Sequence, residues 1–146
     1  MRNTIIIAAI SLLFVACKKS TFSTKPSLKY ESANATELRV GDVLEMRLAF
    51  TDAEGDLVSD SALFVEQFST FCTATYFKGV YPLEPFPTST NLEGTILVKF
   101  GYRALPSLKE PQCGETDTCF FRFALRDKEK NVSDTIISEP IILIKE

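Results

Sequence analysis

Val43-Leu44-Glu45-Met46-Arg47-Leu48-Ala49-Phe50 decides the fold. Leu44, Met46, Leu48 and Phe50 fall on one face of an extended chain, and Glu45 and Arg47 on the other. A period of two is that of a half-buried strand; a helix would scatter the same residues around its circumference. Gly41-Asp42 stands before the run as a turn signal. Working outward, 28–32 reads as a first strand, and 62–69 and 70–78, rich in Phe, Val, Thr and Tyr, as one or two more. Residues 95–102 alternate, with Ile96, Val98, Phe100 and Tyr102 on one face. Residues 118–126 alternate again, Cys119, Phe121, Phe123 and Leu125 against Phe120, Arg122 and Arg126. The chain closes on 135–138 and 141–145, divided by Pro140, which predicts an edge strand or a bulge. No stretch after the first 27 residues supports a long amphipathic helix.

About seven short strands over 28–146 predict an all-β domain, an antiparallel immunoglobulin-like β-sandwich. A parallel sheet would need crossover helices. The chain has no Trp, and its cysteines lack antibody spacing, so an antibody-type domain is not implied. Of 146 residues 45% are hydrophobic and 24% charged, which gives one globular core and excludes wholesale disorder. The net charge of -3, with signs interspersed, argues against a nucleic-acid partner. There is no histidine, which removes the commonest general base and every imidazole triad. A sandwich this small also offers little room for a deep substrate cleft. The chain therefore reads as a non-enzyme.

The N-terminus carries an address. Arg2 precedes an apolar run, Ile5 to Val15, followed by Ala16-Cys17. The run is too short to span a membrane and has the form of a secretory signal. Phe14-Val15-Ala16-Cys17 resembles the lipobox of bacterial lipoproteins. That resemblance implies a signal peptide over 1–16 and lipidation of Cys17, with 17–27 as lipidated cysteine and flexible tether. Two or three acyl chains anchor stably where one does so only marginally. The expected place is the cell envelope, in the outer membrane facing the periplasm. Lys18-Lys19 follow Cys17 without an acidic residue, whereas surface-exported lipoproteins of Bacteroidota often carry acids there. The expected partners are the membrane, through that lipid, and an unidentified protein or glycan.

Asp52, Glu54 and Asp56 alternate along one loop, a pattern of oxygen ligands that can wrap calcium. In an immunoglobulin-like strand order the loop holding Asp127 and Asn131 lies at the same end, so the five side chains could converge. A plain solvated turn is the simpler account of Asp, Gly and Asn here. No other cofactor is expected. Phe50-Thr51-Asp52-Ala53-Glu54-Gly55-Asp56-Leu57 resembles a segment of small Bacteroidota lipoproteins, as does Arg126-Asp127-Lys128-Glu129-Lys130-Asn131-Val132-Ser133. The resemblance implies an immunoglobulin-like or cadherin-like sandwich and no activity. Two departures stand out. Glu54 replaces an aspartate, which weakens the metal reading, and Lys130 replaces a glycine, which argues against a tight left-handed turn.

Three cysteines remain. Cys113 and Cys119 are close enough in sequence to staple a loop as a disulfide; Cys72 paired with either, or three free thiols, are the alternatives. Residues 76–87 combine Tyr76, Phe77, Tyr81 and Phe86 with three prolines, either a contact patch or a loop folded onto a sheet edge. Asp60-Ser61-Ala62 and Asp134-Thr135-Ile136 resemble the short O-glycosylation acceptor of Bacteroidota, implying glycan on Ser61 and Thr135.

Overall fold

A computed structural model describes residues 23–57, 62–84, 87, 89–104 and 106–145. The expected signal peptide, Cys17 and Ser61 lie outside the described residues. Among the described residues nine strands follow in order: β1 (Ser27–Ala33), β2 (Glu37–Leu38), β3 (Val43–Asp52), β4 (Ala62–Ser69), β5 (Phe77–Pro82), β6 (Leu92–Gly101), β7 (Asp117–Arg126), β8 (Ile136–Ile137) and β9 (Ile141–Leu143). They form two sheets. One is the antiparallel triplet β1-β3-β6. The other runs β2-β9-β7-β4-β5, with β8 also on β7. Among the described strands every pairing is antiparallel except β2 with β9.

The alternation in β3 becomes the core of the smaller sheet: Leu44, Met46, Leu48 and Phe50 are all buried. Val98 and Phe100 of β6 join them. The larger sheet contributes Leu63 and Val65 from β4, Cys119, Phe121, Phe123 and Leu125 from β7, and Ile141 and Leu143 from β9. Phe100 stacks on Phe121 across the gap, ring centres 5.9 Å apart, so one apolar layer is shared by both sheets.

Pro140 marks a break, as expected. β8 and β9 are two halves of one course along β7, and between them Ser138 does what a backbone group would otherwise do. The Phe121 N–H donates to Ser138 Oγ (3.0 Å), and the Ser138 N–H donates to the Phe121 carbonyl (2.9 Å). Ser133 repeats the device, its Oγ accepting from the Leu125 N–H (2.9 Å) and its own N–H donating to the Leu125 carbonyl (2.8 Å). Both hydroxyls then donate onward, to the carbonyls of Asp134 and Glu139. Two irregularities in the ladder thus leave these inner-strand amides bonded.

Two expectations are corrected. Residues 70–76 form a turn, not a strand, and the strand begins at Phe77. The reason lies in Ser69, whose hydroxyl accepts from the N–H groups of Phe71 and Cys72 and donates to Asp117, bending the chain off the ladder. The disulfide joins Cys72 to Cys113, Cα atoms 5.7 Å apart, rather than Cys113 to Cys119. Cys119 belongs to the inward face of β7 and is fully buried, so its thiol cannot turn out to meet Cys113. Burial pushes that thiol up to about 12. Buried Gln67 ties the same region down: its amide donates to the Lys109 carbonyl (3.0 Å) and accepts from the Lys109 N–H (2.9 Å).

Ser138→Ala is expected to strand the Phe121 amide and lower stability by about 1–3 kcal/mol, whereas substituting the exposed Ser32 by alanine should change it by less than about 0.5 kcal/mol. Urea unfolding of both variants measures the difference, and equal midpoints would refute the role given to the hydroxyl.

Candidate functional site

Two regions concentrate chemistry. The first is the acidic end where β3 gives way to its following loop. Asp52 closes β3 and is fully buried. Its Oδ2 accepts from the Asp56 N–H at 3.0 Å. Its Oδ1 is buried with no hydrogen-bond partner among the described residues. Gly55 makes the loop possible. It has φ of 68°, and a Cβ there would lie 1.8 Å from the Ser89 carbonyl oxygen. The Asn91 N–H bonds the Ala53 carbonyl at 2.9 Å, so the segment leading into β6 is fastened to this loop.

The second acidic loop follows β7. Asp127 is almost fully buried, and Asn131 occupies both of its oxygens, by its N–H at 2.7 Å and its side-chain amide at 2.8 Å. Lys130 has φ of 74°, so the left-handed turn is present despite the missing glycine. The Asp127–Asn131 bonds hold the turn against a strain of about 1–2 kcal/mol for a side chain in that region.

The carboxyls of the first loop are shifted upward. Burial raises the Asp52 carboxyl above its usual range, and the neighbouring Asp56 carboxylate adds to the rise against the N–H groups of Asp56 and Gly55. Exposed Glu54 is raised by desolvation and then by the negative field of Glu129, Asp56, Asp52 and Asp127. Among the described residues no three acids or thiols close into a ready metal cage. Asp52 and Asp56 are joined by the Asp56 backbone bond, Glu54 is exposed, and Asp127 and Asn131 are tied to each other. Thr135 is exposed, as a glycan acceptor must be, next to Asp134, which Lys25 pairs with at 2.6 Å.

The second region is a cleft of about 600 Å³ between β5 and β6, each the last strand of its sheet. Phe50, Leu63, Val98 and Phe100 form its depth, Ile96, Tyr81 and Leu83 its walls, and Glu84 and Glu93 stand at its rim. Phe77 and Tyr81 of β5 both meet Phe100 edge to face. The aromatics of 76–87 therefore split: part is a strand whose rings enter the core, while Tyr76 stays exposed. The sequence reading missed the cleft. Its one signal was Gly94, where a Cβ would meet the Phe50 ring at 2.9 Å and close the space.

No protein-family model and no curated protein sequence matches the chain. Among solved structures it is similar to an alkylpurine DNA glycosylase of Pseudomonas fluorescens bound to DNA containing an abasic-site analogue. The identity is 9% and the TM-score 0.49, over 84% of this chain and 31% of that one. It is similar to a sporulation control protein of Bacillus subtilis at 7% identity and a TM-score of 0.46, over 84% and 50%. A Niemann-Pick type C2 protein from Japanese carpenter ant gives 10% identity and a TM-score of 0.43, over 82% and 94%. The chain thus spans about a third and a half of the first two. Likenesses at this distance carry no argument about activity.

The raised carboxyls give a signed pH dependence. A folded value above the unfolded one means that the folded chain holds the proton more tightly. Stability from Asp52 and Glu54 is then greatest below the ordinary value of 3.8 for Asp52 and 4.5 for Glu54, and is lost as pH rises through the raised values. Asp52→Asn keeps an acceptor for the Asp56 amide and removes the charge. In chelator, its melting temperature is expected to exceed the parent's by a margin that grows from about pH 4 to about pH 7. Calorimetry across that range checks it, and a margin flat with pH would count against the assignment.

Proposed function

We propose that this chain is a non-catalytic binding module of a bacterial cell envelope, an immunoglobulin-like β-sandwich held to a membrane by lipid on Cys17. The cleft between β5 and β6 carries the binding part of the reading. Its volume falls within the range of ligand sites, about 300–1,000 Å³, and its depth is apolar with charge only at the rim. Support for the sandwich comes from two sheets that share one core and from the short parallel pair β2–β9 at a sheet edge. Support for the anchor is the Phe14-to-Cys17 segment and the short apolar run before it. The Lys18-Lys19 pair beside the cysteine favours an anionic membrane surface and the periplasmic side. With no histidine in the chain, the acidic end offers hydrolysis no imidazole base, and the apolar cleft supplies none.

The cleft is tested with N-phenyl-1-naphthylamine, an uncharged apolar dye, on the native chain from Lys18. Saturable fluorescence is expected, weakened about tenfold by Ile96→Lys, which sets a charge in the wall while circular dichroism stays unchanged. Dye binding that ignores the substitution would overturn the reading.

A second reading is favoured by buried Asp52 Oδ1 and the acids crowded over it: a structural envelope component whose loop end is stabilised by calcium. Its donors would be Asp52, Glu54 and Asp56, joined by Asp127 and Asn131. Millimolar calcium should then raise the melting temperature of the parent and leave Asp52→Ala and Asp127→Ala unmoved. A parent that does not respond reduces both loops to turns.

A further inference from the structure

We propose that the free edge of β6 pairs with the β6 of a second copy of this chain, across a two-fold axis at Ile96. The inference rests on the reading of the β5–β6 cleft as a binding surface and names its partner.

The backbone shows which residues are available. Gly101 turns both of its backbone groups away from β3: its N–H donates to the Pro106 carbonyl (2.8 Å), and its carbonyl accepts from the Leu108 N–H (3.0 Å). Tyr102, one residue on, turns both of its groups the other way, to Gly41 and Asp42. The β3–β6 register runs unbroken from Val43 opposite Gly101 to Asp52 opposite Leu92. Alternation along an antiparallel strand then directs the N–H and C=O of Glu93, Thr95, Leu97 and Lys99 to the free side. Among the described residues only 106–108 pair on that side, at Gly101. The edge from Glu93 to Lys99 carries no proline and no bulge, two of the devices that keep an edge single, and its two charges are of opposite sign.

The side chains are self-complementary. An antiparallel pairing centred on Ile96 sets Glu93 opposite Lys99 of the second copy, and Lys99 opposite its Glu93. Thr95 then faces Leu97 twice, and Leu97 is 42% exposed. Opposite charges face each other at both ends. Each of the four edge residues donates one hydrogen bond and accepts one. On the inner side Ile96 meets its own counterpart at the mouth of the cleft, where it is only half-buried in the single chain. The length fits the space: 106–108 closes the edge at Gly101, and Asn91, with φ of 57°, turns the chain away just before Leu92. An acyl chain in the cleft would leave the edge amides and carbonyls to water. A contact repeated about a two-fold axis closes on itself and does not propagate.

Sedimentation velocity on the chain from Lys18, which carries every described strand, is the test. A monomer–dimer equilibrium is expected. Glu93→Lys should weaken it by about tenfold or more, and Glu93→Lys with Lys99→Glu, made together with Glu45→Lys because Glu45 pairs with Lys99 inside the chain, should restore it to within about threefold. Thr95→Pro removes one free-edge N–H and no β3 bond, so it should weaken the dimer while far-ultraviolet circular dichroism is unchanged. A monomer at every concentration, or a dimer indifferent to all three variants, overturns the proposal. So does a monomer whose Glu93–Lys99 amides gain exchange protection only with an added alternating valine–threonine peptide, which makes a foreign strand the occupant. Dye binding in the cleft that survives any of these results sinks the dimer alone and leaves the binding reading standing.

Discussion

Phe100 is the side chain on which the rest of the structure turns. It stands on the last strand of the smaller sheet, stacks on Phe121 at the middle of the larger one, and receives Phe77 and Tyr81 edge-on from β5. One ring therefore fixes the spacing of the sheets and the near end of the cleft. Aromatic pairs of this kind add about 0.5–1.5 kcal/mol beyond the area they bury. Away from Phe100 the inner face of β6 loses cover step by step: Val98 is buried, Ile96 half-buried and Gly94 exposed. The cleft is this gradient seen from outside, a place where a three-stranded sheet runs out of partner before its strand ends.

The larger sheet is held by a different means. The long connection from β6 to β7 packs Leu108 into the core and is fastened in other ways as well: the two Gln67–Lys109 bonds tie it to β4, the Cys72–Cys113 disulfide ties it to the turn after β4, and the Ser69–Asp117 bond holds its far end, where β7 begins. Polar groups buried with their partners specify position more sharply than apolar contact does. This matters to the edge of β6, because the same connection supplies 106–108, the short segment that closes the edge at Gly101.

Much of this was legible in the sequence, for physical reasons that differ by element. β3, β6 and β7 each have one face in the core and one towards solvent, so alternation read them within two or three residues. β5 was misread because its inner positions, Phe77, Gly79 and Tyr81, are only half-buried and one has no side chain, which erases the contrast that marks a strand. Phe71, Thr73, Thr75 and Tyr76 gave 70–76 the composition of a strand, although the segment is a turn in which Cys72 and Thr75 are buried. β2 has two residues and a parallel partner more than a hundred positions away, so no local pattern announces it. The cysteine pairing is instructive. The alternation that put Cys119 on the face of Phe121 and Phe123 already pointed its thiol inward, and face outweighed nearness in sequence. Of the candidate site, the two acidic loops were legible as acids alternating with turn residues, while the cleft was not, because it is made by what two edge strands leave uncovered.

The acidic end and the open edge are not separate features. Asp52 is opposite Leu92 in the β3–β6 register, Asn91 hangs from the Ala53 carbonyl, and Gly55 lies so close to Ser89 that no side chain fits between them. The loop that carries Asp52, Glu54 and Asp56 is thus the same body that sets where β6 begins. Two neighbouring carboxyls there, one buried, repel once both are charged, and the repulsion acts on the chain that bears Glu93 two residues further on. The Asn91–Ala53 bond joins that loop to the residues that open β6. Electrostatics at one end of the domain and strand pairing along its edge draw on one mechanical element.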